Sequence, residues 1–94
     1  MKSSTEMIVE AIKNVPAGQV ASYAEIAQQA GIPNGARQVA RILHTCSEKY
    51  QLPWWRIVRS NGEIALRDEA GRKEQRDLLV REGVQFQSRW KVKR

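Results

Sequence analysis

A chain of 94 residues is expected to make one folded domain that buries roughly two-thirds of its extended surface, which leaves no room for a second, catalytic domain. Hydrophobic residues at 41% supply a modest core, and one cysteine with one histidine excludes both an internal disulfide and a four-ligand zinc site. Sixteen Lys and Arg against ten Asp and Glu leave a net charge of +6, which favours a polyanionic partner, most often nucleic acid, with a membrane surface as the alternative.

The opening Met1-Lys2-Ser3-Ser4-Thr5-Glu6 lacks the charged, apolar, small order of a signal peptide, and no run approaches 18 consecutive apolar residues. A soluble, cytoplasmic protein is expected. Met7, Ile8, Ala11, Ile12 and Val15 recur at helical spacing, so residues 5–14 read as an amphipathic helix ended by Pro16-Ala17-Gly18. Ser22-Tyr23-Ala24-Glu25 fits a capping box, and the helix it starts should run to about Ala30 and stop at Gly31. Asn34 can cap a third helix from Gly35 to about Cys46, with Val39, Ile42 and Leu43 inward and Arg37, Arg41 and His44 outward. The two short helices around Gly31-Ile32-Pro33-Asn34 form a helix-turn-helix candidate.

Beyond Leu52 the pattern becomes β-prone. Arg56-Ile57-Val58-Arg59, the turn signal Ser60-Asn61-Gly62 and Glu63-Ile64-Ala65-Leu66 predict a hairpin, which after a helix-turn-helix suggests a winged helix. Asp68–Glu82 reads as a last helix with Gly83 as its stop. The tail from Gln87, with Arg89, Lys91, Lys93 and Arg94 around Trp90, is expected to dock loosely or fray. The expected fold is α+β, mostly helical and winged-helix-like, as a single domain over residues 1–94.

Catalytic candidates are few. A cysteine nucleophile needs a lowered pKa, a neighbouring base and access, and His44, two positions from Cys46 on a helix, points elsewhere. The carboxylates scatter without a paired or metal-ligand pattern, and no Gly-rich phosphate loop or Ser-His-Asp set is present. The residues argue for binding over catalysis, with no cofactor. Arg37, in the first turn of the helix that would be the recognition helix, can reach phosphates, base edges or an opened base stack; a solvated helix arginine is the plainer account. The helix start at Ser22-Tyr23 offers backbone N–H groups to a phosphate, with the tyrosine hydroxyl nearby. In Pro53-Trp54-Trp55-Arg56, an extended backbone points the two indoles oppositely, so both plug the core or one lines a site.

Four stretches together resemble a known family. Val20-Ala21-Ser22-Tyr23-Ala24-Glu25-Ile26-Ala27, Gly35-Ala36-Arg37-Gln38-Val39-Ala40, Pro53-Trp54-Trp55-Arg56-Ile57-Val58 and Leu78-Leu79-Val80-Arg81-Glu82-Gly83-Val84 resemble the C-terminal domain of O6-alkylguanine-DNA alkyltransferases, and the match spans nearly the whole chain. Those enzymes carry Pro-Cys-His-Arg, whose cysteine takes the alkyl group; here Trp54 stands at the cysteine position, the mark of the alkyltransferase-like proteins. The resemblance implies a non-enzymatic sensor that binds duplex DNA containing O6-alkylguanine, flips the base and directs the site to nucleotide excision repair proteins, acting as a monomer. It implies that Tyr23 pushes on the phosphate flanking the lesion, that Arg37 replaces the flipped base in the stack, and that the helix-turn-helix approaches the minor groove. Small Gly35, Ala36 and Ala40 then permit close backbone approach. Ser22 joins them as a DNA-binding candidate, and Tyr23, Trp54, Arg56 and Arg67 are the expected lesion-pocket residues. Trp55 replaces the histidine that many relatives retain, which removes an acid-base group. Two rivals remain: a methyltransferase acting through Cys46, and a winged-helix transcription factor.

Overall fold

A computed structural model describes residues 2–94. The first helix, α1 (Ser4–Lys13), begins where Ser3 accepts a hydrogen bond from the Glu6 N–H and buries Ile8, Val9, Ala11 and Ile12. After a turn through Gly18 the chain enters a short strand, β1 (Ala21–Ser22), which runs directly into α2 (Tyr23–Gln29). The expected capping box is formed: Ser22 Oγ accepts from the Glu25 N–H at 3.0 Å, and the Ser22 N–H donates to Glu25 Oε1 at 2.7 Å.

The turn into α3 (Ala36–Tyr50) corrects one expectation. Gly35, not Asn34, occupies the N-cap, and no side chain caps the helix; Asn34 instead adopts a left-handed conformation, φ 71°, which its short polar side chain tolerates. A Cβ on Gly35 would lie 2.7 Å from Ile32 Cγ2, so the tightness of the turn requires glycine there. α3 runs beyond Cys46 to Tyr50 and ends on Gln51 in the left-handed region.

α1, α2 and α3 enclose the main core of Ile8, Ile12, Ile26, Val39 and Ile42, closed by Leu52 and Ile57. Residues Trp54–Arg56 form a single 3-10 turn, followed by β2 (Ile57–Val58), α4 (Glu69–Arg81) and the C-terminal strands β3 (Phe86–Ser88) and β4 (Lys91–Val92). Asp68 caps α4 by accepting from the Gly71 N–H.

The mostly helical α+β class with its helix-turn-helix is borne out, but the strands pair differently from the expected hairpin. β2 lies parallel to β1, with Ala21 opposite Ile57 and Ser22 opposite Val58. Ile57 and Val58 are both buried, and a strand covered on both sides pairs with another covered segment in preference to a half-exposed return strand. The turn at Ser60-Asn61-Gly62 does form, through Gly62 N–H to Arg59 O and Arg59 N–H to Glu63 O. Residues 62–64 then meet the tail, where Val92 N–H donates to Gly62 O and Ile64 N–H to Trp90 O. Of the two expectations for the tail, loose docking or fraying, docking holds, and it is close: Val92 is 1% exposed and forms a second core with Val58 and Leu79.

Arg56 and Glu82 tie the two cores together. The Arg56 guanidinium donates to both Glu82 carboxylate oxygens and, through Nη1, to Val15 O at the end of α1. Glu82 also accepts from the Gly18 N–H. The two side chains are 15% and 16% exposed, and hydrogen bonding from Arg56 holds the Glu82 carboxyl below its ordinary 4.5. A carboxylate depressed in the folded state stabilises it above the unfolded pKa and loses that contribution as pH falls through the folded value. Glu82→Gln should therefore lower stability by about 2–3 kcal/mol at pH 7, less than the about 3–5 kcal/mol for breaking a fully buried pair. Urea titrations across pH should show the difference between the two proteins constant above pH 4.5 and shrinking below it; a pH-independent difference would contradict this role.

Candidate nucleic-acid interface

The parallel β1–β2 pairing sets the site. Because the ladder ends at Ser22 and Val58, Tyr23 and Arg59 leave it side by side, with α3 across from them. Beneath Tyr23 is a cavity of about 300 Å3. Its walls are Ala40, Leu43, His44 and Ser47 from α3, Trp54 and Ile57 from the segment after it, Leu66, and Gln75 from α4.

Trp54 reaches this cavity through the 3-10 turn, so the extended backbone that would oppose the two indoles is not the one adopted. Arg56 N–H donates to Pro53 O and Ile57 N–H to Trp54 O, curling the segment so that the two indoles meet edge to face, 6.0 Å apart at 89°. Trp54 lines the cavity while Trp55 packs against the second core. Gln75, 2% exposed, secures the turn from behind: its Nε2 donates to Trp55 O and Ile57 O, each at 3.1 Å.

A second, open groove is lined by Ala24, Ala36, Ala40 and Ala65, by Arg37 from α3, and by Arg59 and Ser60 beyond β2. Tyr23 and Ala40 line both groove and cavity, so one opens into the other. Four alanines let a large partner approach the backbone, and the two exposed arginines give the groove its charge. The start of α3 adds to this potential: it carries no capping side chain and no acidic residue in its first turn, leaving the positive end of the helix dipole uncompensated. Burial raises the Tyr23 pKa while the Arg59 charge opposes the rise; the phenol stays protonated at neutral pH and acts as a donor.

The expected site residues separate into three groups. Tyr23, Ala36, Arg37, Ala40 and Trp54 line the groove or the cavity. Ser22 and Gly35 act behind them: Ser22, 3% exposed, is consumed by its cap, and Gly35 is buried in the turn before α3. The start of α2 that was to offer amides to a phosphate is likewise occupied, since Glu25 sits there in an ion pair with Arg94. Arg56 corrects the pocket assignment, because its guanidinium is held by Glu82 and Val15 and does not line the cavity. Arg67 is exposed beside Leu66, which lines the cavity, and is not itself part of the wall.

Sequence reasoning missed Arg59, His44, Ser47 and Gln75. Ala36, Ala40, Leu43 and Ser47 were visible as a helical stripe of small and mixed residues; Arg59 and Gln75 depend on long-range pairing and had no local signal. Cys46 is half-buried and lines neither cavity nor groove. Among the described residues, no group of three or more His, Cys, Asp or Glu is placed to hold a metal ion.

Residues 3–84 match the model of the 6-O-methylguanine DNA methyltransferase, DNA binding domain. The chain is 38% identical over 80 residues to alkyltransferase-like protein 1 of Schizosaccharomyces pombe, covering 84% of this chain and 74% of that one. It is 37% identical over 87 residues to a DNA base-flipping protein of Vibrio parahaemolyticus, covering 90% and 84%. In three dimensions it is similar to the crystal structure of S. pombe Atl1 in complex with damaged DNA containing O6-carboxymethylguanine. That match has a TM-score of 0.80 at 34% identity over 99% of this chain and 91% of that one.

The clamp behind Trp54 is testable on the free protein. Gln75→Leu preserves bulk but leaves the Trp55 and Ile57 carbonyls without their donor, at a cost of about 1–3 kcal/mol. Denaturant titration should show this loss together with a shifted tryptophan emission; unchanged stability would mean that the turn holds itself.

Proposed function

The chain belongs to the 6-O-methylguanine DNA methyltransferase DNA-binding domain family, in its alkyltransferase-like branch, and on that footing we propose that it is a non-enzymatic sensor of alkylated DNA. It binds a duplex containing O6-alkylguanine, rotates the damaged nucleotide out of the stack, and holds the base in the cavity beneath Tyr23. The observation that carries this reading is the wall of that cavity: Trp54 lines it, Cys46 does not, and it opens onto a groove flanked by arginines. An indole offers a flipped base a broad apolar face and no nucleophile. Relatives named for base flipping and a relative crystallised with damaged DNA support the same conclusion.

Trp54 takes the position of the enzymes' acceptor cysteine in this reading. The groove over Ala36 and Ala40 follows the minor groove, and Arg37 fills the gap left by the extruded base, offsetting part of the few kcal/mol that unstacking costs. Arg67 reaches the alkylated base once DNA is bound. The protein works as a cytoplasmic monomer with no cofactor and flags the lesion for nucleotide excision repair proteins, a link that rests on family resemblance.

The direct test compares matched duplexes with and without one O6-methylguanine, followed by mass measurement of protein and DNA. Binding should be at least about tenfold tighter to the lesion and should weaken steeply between 50 and 200 mM salt as counterions return to the phosphates. Both masses should stay unchanged. A protein heavier by one methyl group would make it an alkyl acceptor, and equal affinity for the two duplexes would remove the sensor reading.

The acceptor position gives a second test. Trp54→Cys supplies a thiol, but an ordinary thiol with a pKa near 8.5 is mostly protonated at neutral pH, and the Trp55 indole donates without accepting a proton. The single variant should show no rapid labelled-methyl uptake, and the folded pair Trp54→Cys, Trp55→His should take up more. Rapid transfer by Trp54→Cys alone would show that the cavity already activates a thiol.

A further inference from the structure

Arg59 has no assigned part in the sequence pattern, yet the fold delivers it to the mouth of the cavity. The Ser22–Val58 register makes Tyr23 and Arg59 the first residues beyond the same end of the parallel ladder. The backbone there is fixed, since Arg59 N–H donates to Glu63 O at 2.9 Å and Gly62 N–H to Arg59 O at 2.8 Å. Gly62 is held at φ +91°, and any Cβ there would lie 2.7 Å from Val92 O, so the turn that presents Arg59 is braced by the second core. The Arg59 side chain is exposed, and among the described residues it makes no ion pair. Its charge is felt at the Tyr23 hydroxyl.

Tyr23 lines both the cavity and the groove, whereas Arg59 lines the groove alone. A nucleotide with its base in the cavity leaves its sugar at the mouth and its phosphodiester just outside, which is the space between these two side chains. Arg37 lines the same groove from a different element, α3, and is free for the vacated stack. We propose that Arg59 is a phosphate-holding residue, which with the Tyr23 hydroxyl brackets the phosphodiester flanking the extruded nucleotide and keeps the base turned outward. The inference rests on the base-flipping reading above and adds the residue that retains the flipped state. A guanidinium suits the task because its fork meets two phosphate oxygens at once.

The test replaces one phosphate at a time, on either side of an O6-methylguanine, by an uncharged methylphosphonate. The wild-type protein should lose about tenfold in affinity at one of the two flanking positions and little at the other. Arg59→Gln should itself bind about tenfold more weakly, show a salt slope smaller by about one phosphate contact, and lose less than the wild type to the methylphosphonate at that position, where the Tyr23 contact remains. Arg59→Lys should keep the salt slope. A fluorescent base analogue beside the lesion should report less unstacking in Arg59→Gln, while Arg81→Gln, on the far end of α4, serves as the control. An equal methylphosphonate penalty in the wild type and Arg59→Gln overturns the assignment, and so does a wild type indifferent to both replacements, which needs no variant. Lesion preference with an Arg59-independent penalty defeats this inference only; absence of lesion preference defeats the base-flipping reading beneath it.

Discussion

The ion pair between Arg56 and Glu82 is the constraint from which the site is built. One guanidinium gathers the end of α1 through Val15, the α1–β1 turn through the partner carboxylate on Gly18, and the C-terminal end of α4. Arg56 is the last residue of the 3-10 turn, so fixing its head fixes the turn, and Gln75 completes the grip from α4. Trp54 is left facing the cavity because its neighbours on both sides are held elsewhere. A binding wall made from a short irregular segment acquires in this way the rigidity that recognition requires.

The same arrangement separates duties by depth. The Arg56–Glu82 pair within the fold is structural, while among the described residues the arginines along the groove make no ion pair. Glu25 illustrates the division. Its carboxyl lies below the usual carboxylate range chiefly through hydrogen bonding from Arg94, so a negative charge at the start of α2 is neutralised close to a face that must admit phosphates. Such local compensation keeps the potential of the groove positive without raising the charge of the whole molecule.

Local signals in the sequence located the helices to within a few residues, because caps and glycine stops act over three or four positions. Ser22 with Glu25, Asp68 and Gly83 are examples. The strands were harder. Ile57-Val58 declared itself as buried and β-prone, but its partner, Ala21-Ser22, is two residues of no β preference chosen by the packing of α1 and α2. The Trp54–Trp55 geometry was illegible for a related reason: a 3-10 turn has no periodicity to detect, and it is held by an arginine and a glutamine whose contacts lie far along the chain. Local reading singled out Tyr23, Arg37 and the Trp54-Trp55 pair, and family resemblance gave them their roles. It also placed Arg56 in the pocket, where an ion pair instead makes it part of the frame.

Ala40 belongs to two surfaces at once, the floor of the groove and the wall of the cavity. Any larger side chain there narrows the cavity and also raises the groove, so in the proposed binding mode the space for a base and the closeness of the DNA cannot be adjusted independently at this position. Leu43 and Leu66 line the cavity but not the groove, and substitutions there alter what the pocket admits while leaving the docking surface as it is. Two neighbours on one helix thus answer to different demands: Ala40 to groove and cavity together, Leu43 to the cavity alone.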